Sequence, residues 1–231
     1  LKEGGRTLDY GAGLGLGAEA MGADSFEPNP RETFVGGRPT YDSSKQIPSN
    51  SYDKLVTANV LNVIPNEDGS RDKVVKDIGR VLAPGGVAMI QTRDVSGVMG
   101  AKTATPGPEE NSIIAKTEGR ETFQKGFDKD ELVQYVTDVL GLGFNVSKIP
   151  SSAKISGSAV LVEKDPKVMG AIKQANQKIL FSKKRQELKA GITRDKMGNL
   201  FYKGKEPMEW SPEDFKEVGD IYGIKNFGGL S

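Results

Sequence analysis

Apolar positions in this chain fall into short runs separated by longer rows at helical spacing. Arg6 to Tyr10 reads as a brief buried strand that turns at once into the glycine-rich stretch Gly11-Ala12-Gly13-Leu14-Gly15. A short Gly/Ala-rich helix is expected over Gly15 to Met21. A second strand follows at Ser25-Phe26-Glu27, closed by Pro28 and Pro30, and a third short one near Thr40-Tyr41-Asp42. Tyr52 to Ala58 is the clearest early strand. Val74, Val75, Ile78, Val81 and Leu82 recur at helical spacing and predict a helix over about 70–82, broken sharply by Ala83-Pro84-Gly85-Gly86. Val87 to Thr92 is the next strand. Residues 94–120 carry Gly, Pro, Ser and Thr in quantity and read as a long loop-like excursion. Asp128, with Glu131 three residues on, has the form of a helix cap. The helix behind it runs to about Leu140 and stops at Gly141 and Gly143. Asn145 to Ile149 and Ala159 to Glu163 then read as the two strands of a hairpin.

Strands alternating with helices, closing on a strand pair, predict an α/β fold. It is Rossmann-like: a mostly parallel sheet with an antiparallel edge strand pair, plus a C-terminal helical appendage. The first domain is placed at 1–164. The extension, 165–231, opens with a helix over 166–190 that carries a Val168, Ile172, Ala175, Ile179 stripe. Leu200-Phe201-Tyr202 is a short strand, and a further helix starts near Ser211. Trp210, Phe215 and Tyr222 read as docking residues. No repeat and no low-complexity tract is present.

The 231 residues suit one α/β domain with an appendage. There is no cysteine, which excludes disulfides and thiolate nucleophiles, and no histidine, which removes the usual general base and the commonest metal ligand. No metal site is expected. No apolar run approaches the roughly 18–20 residues of a membrane span, and no signal peptide is visible, so a cytoplasmic protein without membrane contact is expected. The chain begins at Leu1, as a piece of something longer would. Its net charge of +1 hides an asymmetry: about +9 falls within 164–205, flanked by acidic stretches. That segment is the candidate for a nucleic-acid partner, against the plainer alternative of a wet helix face.

Three glycines at alternate positions after a first strand let a backbone pass close to a ligand. Asp9 precedes them and Glu27 follows one helix and one strand later, the layout of a nucleoside crevice at the carboxyl end of a parallel sheet. Gly13-x-Gly15-x-x-Ala18 also fits a dinucleotide fingerprint. Against that, an acid directly before the loop suits a ligand ammonium better than a pyrophosphate. Glu27 also lies 14 residues after Gly13, short of the roughly 20 that a dinucleotide acid occupies. A carboxylate at that strand end can accept both hydroxyls of a ribose.

Leu8-Asp9-Tyr10-Gly11-Ala12-Gly13-Leu14-Gly15, Phe26-Glu27-Pro28, the run Tyr52 to Ile64 and Val81-Leu82-Ala83-Pro84-Gly85-Gly86, in this order, resemble the class I S-adenosylmethionine-dependent methyltransferases over about residues 6–163. The resemblance implies that Asp9, Tyr10, Gly11, Ala12, Gly13 and Gly15 line the methionine end of S-adenosylmethionine. It implies that Glu27, with Pro28, meets the ribose, that Asp42 or Ser43 lies near the adenine amine, and that Asn59 and Val60 form the lip beside the transferable methyl. Asn59-Val60-Leu61-Asn62-Val63-Ile64 together with Gly119 to Phe127, and the tail 198–231, resemble methyltransferase domains embedded in large polyvalent proteins of phages and mobile elements. That resemblance implies association with other such proteins in a host cell or virion.

The chain departs from the family in lacking a helix before the first strand. It also lacks the Asn/Asp-Pro-Pro-Tyr/Phe element that marks amino-methylating DNA enzymes, and the missing cysteine excludes C5-cytosine methylation. Methyl transfer to an unidentified acceptor, nucleic acid or protein, would then rest on proximity. Asn59, Asn62, Arg93 and Lys125 are the candidates on the acceptor side. The two asparagines could equally close a turn, and Arg93 could pair with Asp94. The alternative to an enzyme is a catalytically silent, methyltransferase-like module of a phage or mobile-element protein.

Overall fold

The computed structural model describes residues 4–101, 104–117, 120–196 and 199–222. Two compact units emerge, Leu1–Met169 and Gly170–Ser231. The first unit runs on past Lys164 because the next helix starts against it. Asp165 N–H donates to the Gly143 carbonyl, and Met169 packs so tightly on Gly143 that a Cβ there would lie 2.7 Å from its sulfur.

The first unit is built on a six-stranded sheet. In chain order its elements are β1 (Thr7–Tyr10), α1 (Leu16–Met21), β2 (Asp24–Phe26), β3 (Tyr52–Ala58), α2 (Ser70–Val81), β4 (Leu82–Thr92), α3 (Val95–Met99), β5 (Ala104–Pro106), β6 (Ser112–Thr117), β7 (Arg120–Lys125), α4 (Lys129–Leu140), β8 (Phe144–Lys148) and β9 (Ser158–Lys164). The sheet order is β2-β1-β3-β4-β9-β8. β1 pairs in parallel with β2 and β3, and β3 with β4, whereas β9 runs antiparallel to β4 and β8. This is the mixed Rossmann-like sheet with an antiparallel edge pair that the strand–helix alternation predicts.

Burial explains the order. Leu8, Leu55, Ile90, Val160 and Val162 project from the strands into one core, and Val75, Ile78, Leu132 and Val136 cover it from α2 and α4. Each such side chain contributes about 1.5–3 kcal/mol when fully buried. α4 is capped as expected: the Asp128 carboxylate accepts from Glu131 N–H at 2.7 Å.

Three expectations need correction. The third strand near Thr40-Asp42 is a single bridge, Tyr41 to Phe26. The helix does end before Ala83–Gly86, at Val81, but the strand expected from Val87 begins at Leu82, so that these four residues lie inside β4, where the pairing with β3 shifts register between Tyr52 and Lys54 and Gly85 adopts a φ of 80°. Residues 94–120 are not an open excursion. They contain α3 and most of a three-stranded antiparallel sheet, β5-β6-β7, in which Ile114 sits opposite Phe123. Its strands are three to six residues long and mix small, polar and charged residues with few large apolar ones, so the sequence shows no long apolar run. On the helix after β9, Val168 and Ala175 of the apolar stripe are exposed and Ile172 is half-buried.

That helix, α5 (Pro166–Lys189), leads into the second unit, which holds β10 (Ile192–Arg194), β11 (Leu200–Tyr202) and α6 (Pro212–Tyr222). β10 and β11 pair antiparallel; β10 was not legible as a strand. Ile192, Tyr202 and Val218 form this unit's small cluster, with Trp210 edge-on to Tyr202 and Phe215, in the docking role expected of it. Among the described residues, no helix is long and apolar enough to cross a membrane.

Candidate functional site

The chain lays down β2 on one side of β1 and then crosses to place β3 on the other. The carboxyl ends of β1 and β3 therefore open onto a crevice at the point where strand order reverses, the position at which open α/β sheets bind ligands. The loop Gly11–Gly15 fills this place. Gly11 and Ala12 N–H groups both donate to the Phe26 carbonyl, at 2.8 and 3.0 Å, and Gly15 N–H closes back on the Ala12 carbonyl.

Each glycine has its own physical cause. Gly11, Gly13 and Gly15 all take positive φ, at 82°, 60° and 81°. A Cβ on Gly11 would lie 2.3 Å from Val60 Cγ2, and one on Gly15 2.7 Å from the Phe34 ring. A Cβ on Gly17 would lie 2.8 Å from Asp9 Oδ2, whereas one on Gly13 would meet nothing within 4 Å. Gly13 is thus the exposed point of the loop, with open space in front of it. Phe34, brought in by the loop after β2, is a wall of the site that sequence reading missed; the single pair Phe34-Val35 between polar residues and glycines gave no periodic signal.

The two acids flank that open point. Asp9 is 8% exposed. Burial pushes its carboxyl above the ordinary value, against the lowering effect of the Ala18 N–H, and the nearby Glu27 raises it further. Glu27 folds over the loop: Oε2 accepts from Gly13 N–H at 2.8 Å and Oε1 from Asn29 N–H at 3.0 Å. Pro28 beside it is exposed. Tyr10 alternates to the opposite face. Its ring packs edge-on against Phe26, and its hydroxyl donates to Asp77 on α2 at 2.9 Å, so only its backbone belongs to the crevice.

Asn59 holds a positive φ of 58°, its N–H tied to the Gln91 carbonyl, and Val60 leans on Gly11. This lip therefore meets the glycine loop directly. Asp42 and Ser43 present their backbone N–H groups to Gln46 Oε1. Asp42 lines an open polar cavity of about 470 Å³ with Gly36, Arg38, Pro39, Thr40 and Gln46.

The acceptor-side candidates do not converge. Asn62 is 1% exposed; its Oδ1 and the Thr57 hydroxyl are buried without a hydrogen-bond partner. Arg93 is exposed and donates to Gln124 at 3.1 Å. Asp94 does not pair with it. It caps α3 instead, accepting from Gly97 N–H at 2.6 Å, and this holds its carboxyl low. Lys125 is buried, and its ammonium is committed to the Glu110 carbonyl and to Glu131, both at 2.8 Å. Lys164, the first cation of the basic segment, is likewise inside: it donates to Asn50, Gly79 and Leu82, and burial lowers its pKa.

The side chain that organises this side is Arg71, also missed. It is 2% exposed. Nε donates to the carbonyls of Leu61 and Ile64, and both terminal nitrogens bind Glu109 at 2.8 Å. The rings of Phe123, Phe127 and Tyr135 surround it. The signal existed: Arg71 falls in the same helical row as Val75 and Ile78, where a solvated arginine does not belong.

No protein family matches the chain by sequence, and no curated protein does. Among solved structures, it is similar in fold to a methyltransferase from Thermotoga maritima described as S-adenosylmethionine-dependent and a possible histamine N-methyltransferase. Identity there is 16% over 71% of this chain and 84% of that one, with a TM-score of 0.48. A methyltransferase from Methanosarcina mazei gives 17%, 71%, 94% and 0.48, and one from Clostridium acetobutylicum gives 13%, 69%, 84% and 0.49. Both are described as S-adenosylmethionine-dependent. The fold assignment itself rests on the strand order.

Proposed function

We propose that the crevice at the carboxyl ends of β1 and β3 binds S-adenosylmethionine and transfers its methyl group to an acceptor. One observation carries this reading: two carboxylates, buried Asp9 and loop-folded Glu27, flank a glycine whose Cβ position faces open space. The donor set fits the group. A buried, destabilised Asp9 carboxylate gains from a ligand cation. Glu27 can give up two backbone N–H partners to accept a vicinal diol. Gly13 admits a ligand against the backbone.

When bound, the cofactor supplies an electrophilic methyl on a sulfonium. The chain's own contribution is to hold and orient. Asp9 fixes the cationic end, Glu27 sets the depth, and Asn59 and Val60 shape the lip across from the loop. With no histidine or cysteine in the chain, placement of the acceptor supplies the acceleration.

A second reading, a module that binds but does not transfer, is favoured by the commitment of Lys125 to Glu131 and the burial of Asn62. The resemblance of 119–127 and 198–231 to polyvalent phage proteins supports an assembly role in that case. Calorimetric titration with S-adenosylmethionine and with NAD tests the binding step. Micromolar affinity for the first, lost in Glu27→Ala, is expected. Well-folded protein that binds neither overturns the proposal, and binding without turnover on nucleic-acid or protein acceptors leaves the second reading.

A further inference from the structure

From Pro166 to Gln186 the chain holds six lysines and arginines and no acid. The structure makes this stretch helical. At 100° per residue, Lys167, Lys173, Gln174, Gln177, Lys178 and Lys184 fall within an arc of roughly 140°, spread along about 26 Å of axis. All six are exposed. Among the described residues, none of these four ammonium groups is ion-paired, and Lys173 and Lys178 have no acid three or four positions away. Such a face gains little from tertiary packing and nothing from helix ion pairs. It gains most from a polyanion.

We propose that α5 is a nucleic-acid-binding helix whose lysine and glutamine face follows a phosphate backbone. The glutamines between the lysines are donors to phosphate oxygens, and the spacing makes several phosphate contacts simultaneous. A membrane surface is the weaker fit, because an interfacial helix needs a continuous apolar face opposite its cations, and the opposite row, Val168, Ile172, Ala175 and Ile179, continues in the sequence as Lys183 and Gln186. The large apolar side chains described as exposed on α5 are two, Val168 and Leu180. The proposal is independent of what the crevice binds.

Fluorescence anisotropy of the whole chain with a labelled 20-base-pair duplex and a 20-nucleotide single strand, at 50 and 200 mM salt, tests it. Four lysine–phosphate contacts give a duplex slope of about −3.6 in log K against log salt, hence a roughly 100-fold loss over that range. Changing Lys173, Lys178 and Lys184 together to Gln is expected to weaken binding at least tenfold and to flatten the slope by about 2.7. The same three changed to Arg should retain binding, and S-adenosylmethionine titrations of both variants should match the parent. Nucleic-acid binding that the Gln variant leaves intact, a slope near zero, or binding to anionic phosphatidylserine vesicles with neither nucleic acid bound would overturn the proposal.

Discussion

Gly11 and Gly13 share a left-handed backbone but differ in what stands in front of them, and this separates folding from binding. Gly11→Ala pays for positive φ and drives a methyl into Val60, an expected loss of about 2–5 kcal/mol in urea unfolding. Gly13→Ala pays for φ alone, about 1–2 kcal/mol, because its Cβ meets nothing. If a ligand passes against that backbone, the same methyl removes binding by calorimetry while the protein stays folded. A Gly13→Ala variant that titrates like the parent would count against the crevice. The loop and both acids were legible from sequence, since glycines between a strand and a helix announce a turn. The direction of Tyr10 was only half legible: its alternation from Asp9 is local, but its hydrogen bond to Asp77 spans 67 positions.

At the scale of elements, the lip after β3 and the small sheet β5-β6-β7 are held together through α2. Arg71 reaches from the first turn of α2 to two lip carbonyls and to Glu109 in the turn between β5 and β6. Tyr135 of α4 and Asn66 join the same network through Asp72. Arg71→Met leaves a half-buried Glu109 with the Asn66 N–H but no cation, and two carbonyls without the Arg71 donor, with an expected cost of up to about 3–5 kcal/mol. A loss below about 1 kcal/mol by denaturant unfolding would show that the clamp is not what holds these elements. Helices α2 and α4 could be read from their periodic rows. The small sheet could not, because β5 has three residues and the register of β6 on β5 depends on the Glu109–Ser112 turn rather than on an apolar pattern.

Across the whole molecule, two carboxylates, buried Asp9 and half-buried Glu109, pull stability in opposite directions with pH. Asp9 sits above its ordinary pKa because it is buried. Its cost is therefore full at neutral pH and is relieved as pH falls through the raised value. Asp9→Asn should raise the unfolding midpoint at about pH 7, with an advantage that closes on acidification. For Glu109, burial pushes the carboxyl up, but hydrogen bonds from Arg71 and the Asn66 N–H outweigh it and leave the pKa lowered. Its contribution is present above the ordinary carboxylate value and lost as pH falls through the lowered one. Glu109→Gln should therefore be less stable than the parent at neutral pH and converge with it in acid. Thermal melts of both variants across the acid range check this, and parallel displacements at every pH would contradict it. The sequence by itself determined the strands and helices of the main sheet, the glycine loop with its two acids, and the charge of the segment after β9. These depend on periodicity and turn chemistry within a few residues. Only the tertiary structure decided which long side chains are free: Lys125 and Lys164 are held inside, Lys164 on Asn50 at a separation of 114 positions, while Lys167, Lys173, Lys178 and Lys184 of α5 stay outside. A buried cation must find its acceptors wherever the fold brings them, and no local pattern records where that is.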